Sequence, residues 1–376
     1  MKESKTLAEL KRISESPLFN ADVSSWISEG KKVIGWLCTY IPEEIIYAAG
    51  ILPLRVMGSD EAKLGESEAY LYSNTCSYAR CCFELGLNGN YSFLSGLVAG
   101  TTCDHIRRLY EVWQEYLDIP FTCLLSIPHK ITDKSCRFFK LEVCKFKEKL
   151  ENFIGSEITE QSLNQAVITY NKTRILLKRL YDLRKSESPM ISGAEIQDVL
   201  TAGPRIPRDK YNTLLNMLLE EINNRDECYK GKVRLMLSGA VLDTSNFIME
   251  IENQGGLVVV DELCTGSSYF WDLVDTRQKP LDALAKRYLQ RAPCARMRPS
   301  SARYEHITKL AEDYHVDGVI SLKIKFCDLY GYDSLLFKKR LERNGIPVLE
   351  LEREYKDCGS GQMRTRVQAF IEMLEG

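Results

Sequence analysis

Short apolar runs alternate with amphipathic segments along both halves of the chain. In the first half the apolar runs are KKVIGWLCTY, ILPLRVMG, YSFLSGLVAG and PFTCLLSIP. Between them, PEEIIYAAG is a short helix by its Pro42 and Gly50 boundaries, and CDHIRRLYEVWQEYL has the helical period, with Asp104 as expected N-cap. In the second half KVRLMLSG, LVVVDEL, DGVISLKIKF and IPVLELE alternate with helical segments in the same way. This alternation predicts an α/β fold with a parallel, doubly wound sheet in each half.

The middle of the chain has a different pattern. From Asp133 to Glu187 it is long, charged and helical, and two more helical segments follow around a break at Gly203 and Pro204. We interpret this region as a helix-rich connector between two Rossmann-like domains. A length of 376 residues is more than one compact domain usually holds. The expected division is an N-terminal α/β domain with a helical extension, residues 1–190, and a C-terminal α/β domain, residues 191–376.

Charge and terminal sequence exclude some classes of function. Fifty basic and fifty-two acidic side chains leave a net charge of −2, which argues against bulk nucleic-acid binding. The N-terminal MKESKTLAELKRISES has no apolar core of a signal peptide, and no later stretch has eighteen consecutive apolar residues. The sequence therefore predicts neither export nor a membrane span, and a cytoplasmic protein is the default expectation.

Thirteen cysteines are many for such a chain. An odd number in a reduced compartment argues against a disulfide framework. Cys38, Cys103, Cys264 and Cys327 each follow a predicted strand, and the carboxyl ends of parallel strands converge on one crevice. Paired zinc knuckles and the closely spaced ferredoxin run are both absent from the sequence. The dispersed thiols fit an iron–sulfur cluster held between two domains, but the residues alone favour the alternative of buried unliganded thiols.

The remaining cysteines are divided by position. Cys76 and Cys294 lie in loop-like sequence and stay candidates. Cys123 lies inside a predicted strand and is interpreted as a packing residue. Adjacent side chains diverge, so at most one of Cys81 and Cys82 is expected to ligate beside Cys76. Three further cysteines lie on predicted helices and are interpreted as packing or surface residues: Cys136, Cys144 and Cys228. The role of Cys358 is undecided.

Six segments in order resemble the 2-hydroxyacyl-CoA dehydratase and benzoyl-CoA reductase superfamily from about Lys31 to the C-terminus. They are GWLCTYIPEEIIYAAGILPLRVMG, TTCDHIRR, DELCTGSSYFW, DGVISLKIKFCD, RNGIPVLELEREY and GQMRTRVQAFIEML. The resemblance implies two α/β domains with an iron–sulfur cluster in the cleft between them, an acyl-CoA substrate, and a homologous or identical partner subunit. It also implies a separate ATP-hydrolysing activator, with its own [4Fe–4S] cluster, that supplies one electron at low potential.

Carried over residue by residue, the resemblance assigns Cys76, Cys103 and Cys327 as core cluster ligands. Cys38, Cys264 and Cys294 complete a set of six, which matches a branch that carries a double-cubane [8Fe–9S] cluster and reduces small molecules. With a single [4Fe–4S] cubane these last three are structural. DELCTGSSYFW favours the benzoyl-CoA reductase type, which breaks ring aromaticity. A dehydratase that expels a hydroxyl group through a ketyl radical, the double-cubane reductase and a non-catalytic partner subunit remain alternatives.

Several charged residues are candidates for other roles. Glu43 and His105 are candidate proton donors, although Glu43 and Glu44 also suit the first turn of a helix and His105 also suits a helix surface. Arg364 and Arg366 either neutralise cluster charge or hold the last helix on the core. Four arginines lie near Cys294 in sequence: Arg291, Arg296, Arg298 and Arg303. They could bind the phosphates of coenzyme A, or they could lie on a solvated face or in a subunit interface.

Nucleotide-binding loops are not found in the sequence. It contains no G-x-x-x-x-G-K-[ST] loop, and GSGQ is too short for a dinucleotide fingerprint. We therefore expect neither an ATP nor an NAD site in this chain.

Overall fold

The computed structural model describes residues 4–59, 65–225, 228–355 and 361–376. These residues contain two four-stranded sheets in which every strand pairing is parallel. The strands of the first sheet are β1 (Val33–Leu37), β2 (Leu52–Arg55), β3 (Gly96–Gly100) and β4 (Phe121–Leu125). Those of the second are β5 (Val233–Gly239), β6 (Gly256–Leu263), β7 (Gly318–Ile324) and β8 (Val348–Arg353). The orders β2-β1-β3-β4 and β6-β5-β7-β8 are equivalent, which confirms two similar Rossmann-like α/β units.

Helices surround both sheets. In the first half they are α1 (Lys5–Glu15), α2 (Ala21–Ser28), α3 (Glu43–Ala48), α4 (Ser77–Leu87), α5 (Asp104–Tyr116), α6 (Asp133–Ile154) and α7 (Glu160–Asp182). In the second half they are α8 (Gly193–Ala202), α9 (Arg208–Asn223), α10 (Asn246–Asn253), α11 (Ser267–Phe270), α12 (Pro280–Gln290), α13 (Ser301–Asp313), α14 (Asp328–Arg343) and α15 (Gly361–Glu375). Among the helices of the described residues, none has both the length and the apolar character needed to cross a membrane.

The helix-rich middle is shared between the two cores. Phe139 and Phe146 of α6 pack on the first sheet, in one core cluster with Trp36 of β1. The C-terminal part of α7 packs with α8 and α9 against the second sheet. Leu10 and Ile13 of α1 belong to that second cluster, so the N-terminal helix packs on the far half of the chain. The division at residue 190 stays a prediction.

Most of the cysteines occupy the elements expected of them. Cys123 is buried in β4, and Cys136 and Cys144 lie on α6. The prediction for Cys228 was wrong in its element, because α9 ends at Asn223 and Cys228 lies exposed beyond it. Cys358 lies outside the described residues.

Candidate metal centre

Three cysteines occupy the N-caps of three different helices. Cys76 precedes α4, Cys103 precedes α5 and Cys327 precedes α14. The Cys103 sulfur accepts a hydrogen bond from the Ile106 N–H at 3.4 Å. Backbone N–H groups of Ala79 and Tyr330 likewise act on the Cys76 and Cys327 sulfurs in the direction that lowers their pKa, although burial outweighs this effect. The positive ends of three helix dipoles therefore face three sulfur atoms and oppose part of the effect of burial.

This arrangement corrects the expected capping pattern. Asp104 was predicted as an N-cap, but Asp104 and the equivalent Asp328 are each the first residue inside their helix. The preceding cysteine takes the cap position in both cases. The two carboxylates still lie in the first helical turn, where the dipole favours negative charge.

The three capping thiols are buried near one another. Burial raises the pKa of Cys76 to about 12, and the nearby Cys327 raises it further. Burial also raises the pKa of Cys327 to about 11 and that of Cys103 well above its usual value. Cys76 and Cys327 both act on Cys103 in the same direction. The three residues that the family resemblance assigns as core ligands are therefore close enough to act on one another electrostatically, and burial favours their protonated form.

The other three candidate thiols form a second set beside the first. Cys264 donates a hydrogen bond to the Cys294 sulfur, which lowers the pKa of Cys294 to about 6 and raises that of Cys264 well above normal. Cys38 is close enough to raise the Cys264 pKa as well. The Cys264 sulfur lies 3.8 Å from the Tyr330 hydroxyl, one turn into the helix that Cys327 caps. Each set draws thiols from both halves of the chain.

The backbone turns sharply where two of these thiols leave their strands. Cys38 directly follows β1 with φ of 75°, and Phe326, which precedes Cys327, has φ of 64°. Non-glycine residues adopt this left-handed region rarely, and such residues cluster at functional sites. The turns bring both cysteines to the edge where the carboxyl ends of the strands meet.

Buried cations surround the second thiol set. Arg291 and Arg55 both lie within electrostatic reach of Cys38 and Cys264. Within the part of the chain that the structure describes, three buried polar atoms here have no hydrogen-bond partner, namely the Arg55 Nε, the Arg291 Nε and the Tyr40 hydroxyl. A buried cation without a matching anion is costly. The donor set and its surroundings therefore fit an anionic group held by thiolates.

The described residues do not fit a single bound metal ion. No group of three or more His, Cys, Asp and Glu side chains among them converges on one point. Thiolates around one zinc ion lie about 4 Å apart, given a Zn–S bond of about 2.3 Å. In an iron–sulfur cluster each thiolate binds a different iron atom, so cluster ligands lie farther apart than the ligands of one ion.

His105 lies between the first turns of α4 and α14. Its Nδ1 accepts the Cys76 N–H at 3.2 Å, and its Nε2 lies 3.9 Å from a carboxylate oxygen of Asp328. An amide can only donate, so Nδ1 carries no proton and Nε2 holds the imidazole hydrogen. Burial lowers the His105 pKa, which keeps the ring neutral near pH 7. The structure thus places this candidate at the thiols, and its proton-delivery role stays a prediction.

Sequence comparison decides the family. Residues 38–374 match the family described as 2-hydroxyglutaryl-CoA dehydratase, D-component. The chain belongs to this family. It is 29% identical to the putative dehydratase subunit YjiM of Escherichia coli K12 over 92% of both chains. It is also 27% identical to the (R)-phenyllactyl-CoA dehydratase beta subunit of Clostridium sporogenes, over 92% of both chains.

A reductase is found among the relatives as well as dehydratases. The chain is 27% identical to one of the subunits of benzoyl-CoA reductase from Thauera aromatica, over 89% of this chain and 88% of that protein. The predicted resemblance is therefore confirmed, and with it an enzyme of the dehydratase and reductase type. The comparisons include both reaction types and do not choose between them.

In this family member Glu43 and Glu44 are buried, which the local sequence does not indicate. Glu43 forms an ion pair with Arg208 at 3.1 Å and accepts the Tyr269 hydroxyl at 2.6 Å. Glu44 pairs with Arg174 of α7 and accepts a hydroxyl from α12. Burial raises the Glu43 pKa despite its arginine, whereas for Glu44 the effect of burial is outweighed by Arg174 and the pKa is lowered. The pair ties α3 to the connector helices and to the second half.

The candidate arginines of α15 lie on an exposed surface. Arg364 Nε lies 3.7 Å from a Glu250 carboxylate oxygen, and Arg366 donates to the Glu350 carbonyl at 2.8 Å. These contacts hold α15 against α10 and β8, as one of the two sequence interpretations expected. The described contacts of both arginines are with these elements and not with the six thiols.

The arginines around Cys294 are mostly interior. The prediction of a solvated face was wrong for three of them, Arg291, Arg296 and Arg303, because these side chains are at most 3% exposed. Arg296 donates to the carbonyls of Thr102 and Ile127, at 2.9 and 2.8 Å. Arg296, together with Arg291, which donates to the Thr39 hydroxyl, therefore holds the Cys294 loop against the first half of the chain.

Proposed function

We propose that this chain is the iron–sulfur subunit of an ATP-activated, low-potential radical enzyme that acts on acyl-CoA thioesters, as a reductase of the benzoyl-CoA reductase type. The observation that carries the proposal is the meeting of Cys76, Cys103 and Cys327 at three helix N-termini. Such a cluster, when bound, supplies one low-potential electron to the substrate. Three protein thiolates leave one iron of a cubane open, which suits chemistry at that iron.

The chain's own residues prepare this site. Helix N-termini stabilise the negative charge of a cluster as they do that of a phosphate. His105 holds a hydrogen on Nε2 next to the Cys76 backbone and Asp328, so we assign it proton delivery. Glu43 keeps its proton more readily than an ordinary carboxyl group and is the second candidate donor.

A separate protein must supply the energy for such an electron. The sequence has no phosphate-binding loop, so ATP hydrolysis is assigned to an activator with its own [4Fe–4S] cluster. Relatives are named as subunits, which supports a homologous partner chain or a second copy. The dehydratase reaction fits the same relatives and thiols equally well.

One observation favours a second candidate, the double-cubane reductase of small molecules. The second set of Cys38, Cys264 and Cys294 adjoins the first, and two buried arginines lie beside it, Arg55 and Arg291, whose Nε atoms have no hydrogen-bond partner among the described residues. Six thiolates match an [8Fe–9S] cluster.

Iron and sulfide analysis of strictly anaerobic protein tests both candidates. We expect about four irons per chain for a single cubane and about eight for the double form. Cys327→Ser should lose iron in either case, and Cys264→Ser only in the second. Cys123→Ser is the matched control, since Cys123 is a buried thiol inside β4. Colourless, iron-free protein under these conditions contradicts the proposal.

A further inference from the structure

Helix α14 carries large apolar side chains on two opposite faces. Its inward face is buried and consists of Tyr330, Asp333, Phe337 and Leu341. On the outward face Tyr332, Leu335 and Leu336 are 82%, 59% and 61% exposed, at the i, i+3, i+4 spacing of one helical stripe. The outward face of a surface helix is ordinarily polar, and a helix that is apolar all round is normally covered. The outward side of α14 therefore has the character of a contact surface.

This face continues to the candidate metal centre. Phe326 is 41% exposed and directly precedes Cys327, the α14 N-cap. A helix rises 1.5 Å per residue, so Tyr332 lies only about 8 Å along the axis from Cys327. We call Phe326, Tyr332, Leu335 and Leu336 the α14 stripe. Any protein that covers the stripe lies beside the Cys327 side of the thiol site.

The rim of the stripe is basic. From Lys323 to Arg343 the chain has six basic and three acidic residues, and one of these acids, Asp333, is buried in an ion pair with Arg303. A two-fold contact of the stripe with a second copy of this chain would bring the two basic rims together. Like charges across an interface are unfavourable, so the complementary partner has an acidic rim around an apolar centre.

We propose that the α14 stripe is the docking surface for the electron-donating activator, which presents an acidic rim here. The inference rests on the proposed function, in which a separate protein supplies the electron. A small apolar stripe with a charged rim suits transient, electrostatically steered association, whereas permanent subunit interfaces are larger and more apolar. On docking, the activator is oxidised by one electron and this chain is reduced by one electron, with no bond made or broken at the stripe.

The test compares two reductants on anaerobic, iron-loaded protein. Reduction is followed by EPR and visible absorbance, with either activator plus MgATP or titanium(III) citrate, a small reductant that needs no docking surface. Leu335→Glu combined with Leu336→Glu should slow reduction by the activator at least tenfold and leave reduction by titanium unchanged. The matched control is Leu141→Glu on α6, where Leu141 is 60% exposed and which contains none of the six candidate ligands. It should leave both rates unchanged.

A charge variant tests the rim separately. The double variant Lys339→Glu and Arg340→Glu should slow reduction by the activator at low salt. The rate of this reduction should also decrease less with rising salt than it does for the wild-type protein. Lys145→Glu, at an exposed lysine of α6, is the control for charge alone.

Each outcome decides a different statement. Wild-type rates with activator in the leucine variant overturn the docking inference and leave the proposed function intact. Loss of a co-purifying partner subunit from that variant, with activator-driven reduction unchanged, assigns the stripe to the subunit and also overturns it. Wild-type protein that binds no iron and accepts no electron from titanium overturns the proposed function, and this inference with it.

Discussion

Replacing Arg303 by methionine removes the cation from a buried ion network. The guanidinium of Arg303 donates to both carboxylate oxygens of Glu262, at 3.0 and 2.8 Å, and pairs with Asp333 of α14. Its exposed fraction is 1%, and the two carboxylates are 1% and 4% exposed. Methionine keeps most of the side-chain volume but leaves two buried carboxylates without their cation. Removing one partner of a buried ion pair costs about 3–5 kcal/mol of stability.

The expected effect is large enough to measure by thermal unfolding. At about 2–4 °C per kcal/mol for a unit the size of half this chain, the midpoint should fall by roughly 6–20 °C. Circular dichroism of the iron-free protein measures it. Arg277→Met is the matched control, because Arg277 makes an exposed ion pair with Asp275, and we expect no measurable change there. A decrease for Arg303→Met no larger than that of the control would show that the network does not stabilise the fold.

Three further expectations concern single residues. Glu44→Gln should lower the free energy of unfolding at pH 7 more than Glu43→Gln does. The lowered pKa of Glu44 contributes stability that is lost as the pH falls, whereas the raised pKa of Glu43 makes stability decrease as the pH rises above the pKa of this group in the unfolded chain. Urea unfolding from pH 4 to 8 measures both slopes. His105→Asn keeps an acceptor for the Cys76 N–H but no Nε2 hydrogen, so we expect normal iron content with impaired turnover, while His105→Ala should lower iron content too. Gly239→Ala should unfold the second sheet, since its Cβ would lie 2.3 Å from the Leu322 carbonyl oxygen. By contrast, the Cβ of Gly331→Ala on α14 would have no atom within 4 Å. This second variant should raise the melting midpoint by a few degrees, because alanine is favoured over glycine in a helix by about 1 kcal/mol. Equal melting shifts for the two glycine variants would contradict the packing argument.

The sheets could be predicted from sequence because most of their strands are buried on both faces. LVVVDEL reads as a near-continuous apolar run, and every residue of β6 is buried, including Asp261 and Glu262. Parallel pairing then puts the residues that follow the strands at one edge, which is why Cys38, Cys264 and Cys327 were found as candidates from their positions alone. Cys76 and Cys294 do not follow strands. They were assigned through the family resemblance.

Interactions between distant parts of the chain left no local signal. Glu44 lies in the first turn of a helix as expected, but nothing in the local sequence indicates its buried arginine partner, which is 130 residues away in sequence. The packing of α1 on α8 likewise depends on the tertiary fold. The Asp104 cap was wrong for another reason: an aspartate is a good N-cap, but the cysteine before it took that place and its thiol accepts the N-terminal amide.

Because of the charges around the thiols, we expect the stability of the protein to depend on whether the proposed cluster is bound. Arg55 and Arg291 are buried cations whose Nε atoms have no hydrogen-bond partner among the described residues, and the N-termini of α4 and α14 face buried sulfur atoms. Both features favour a negatively charged occupant. An occupant that binds only the folded state stabilises it by mass action. Loading with iron and sulfide should therefore raise the melting midpoint, and this gain should shrink when Arg291 is replaced by methionine. If loading raises the melting midpoint of Arg291→Met as much as that of the wild-type protein, the buried cations stabilise the packing of the protein and do not stabilise the bound group.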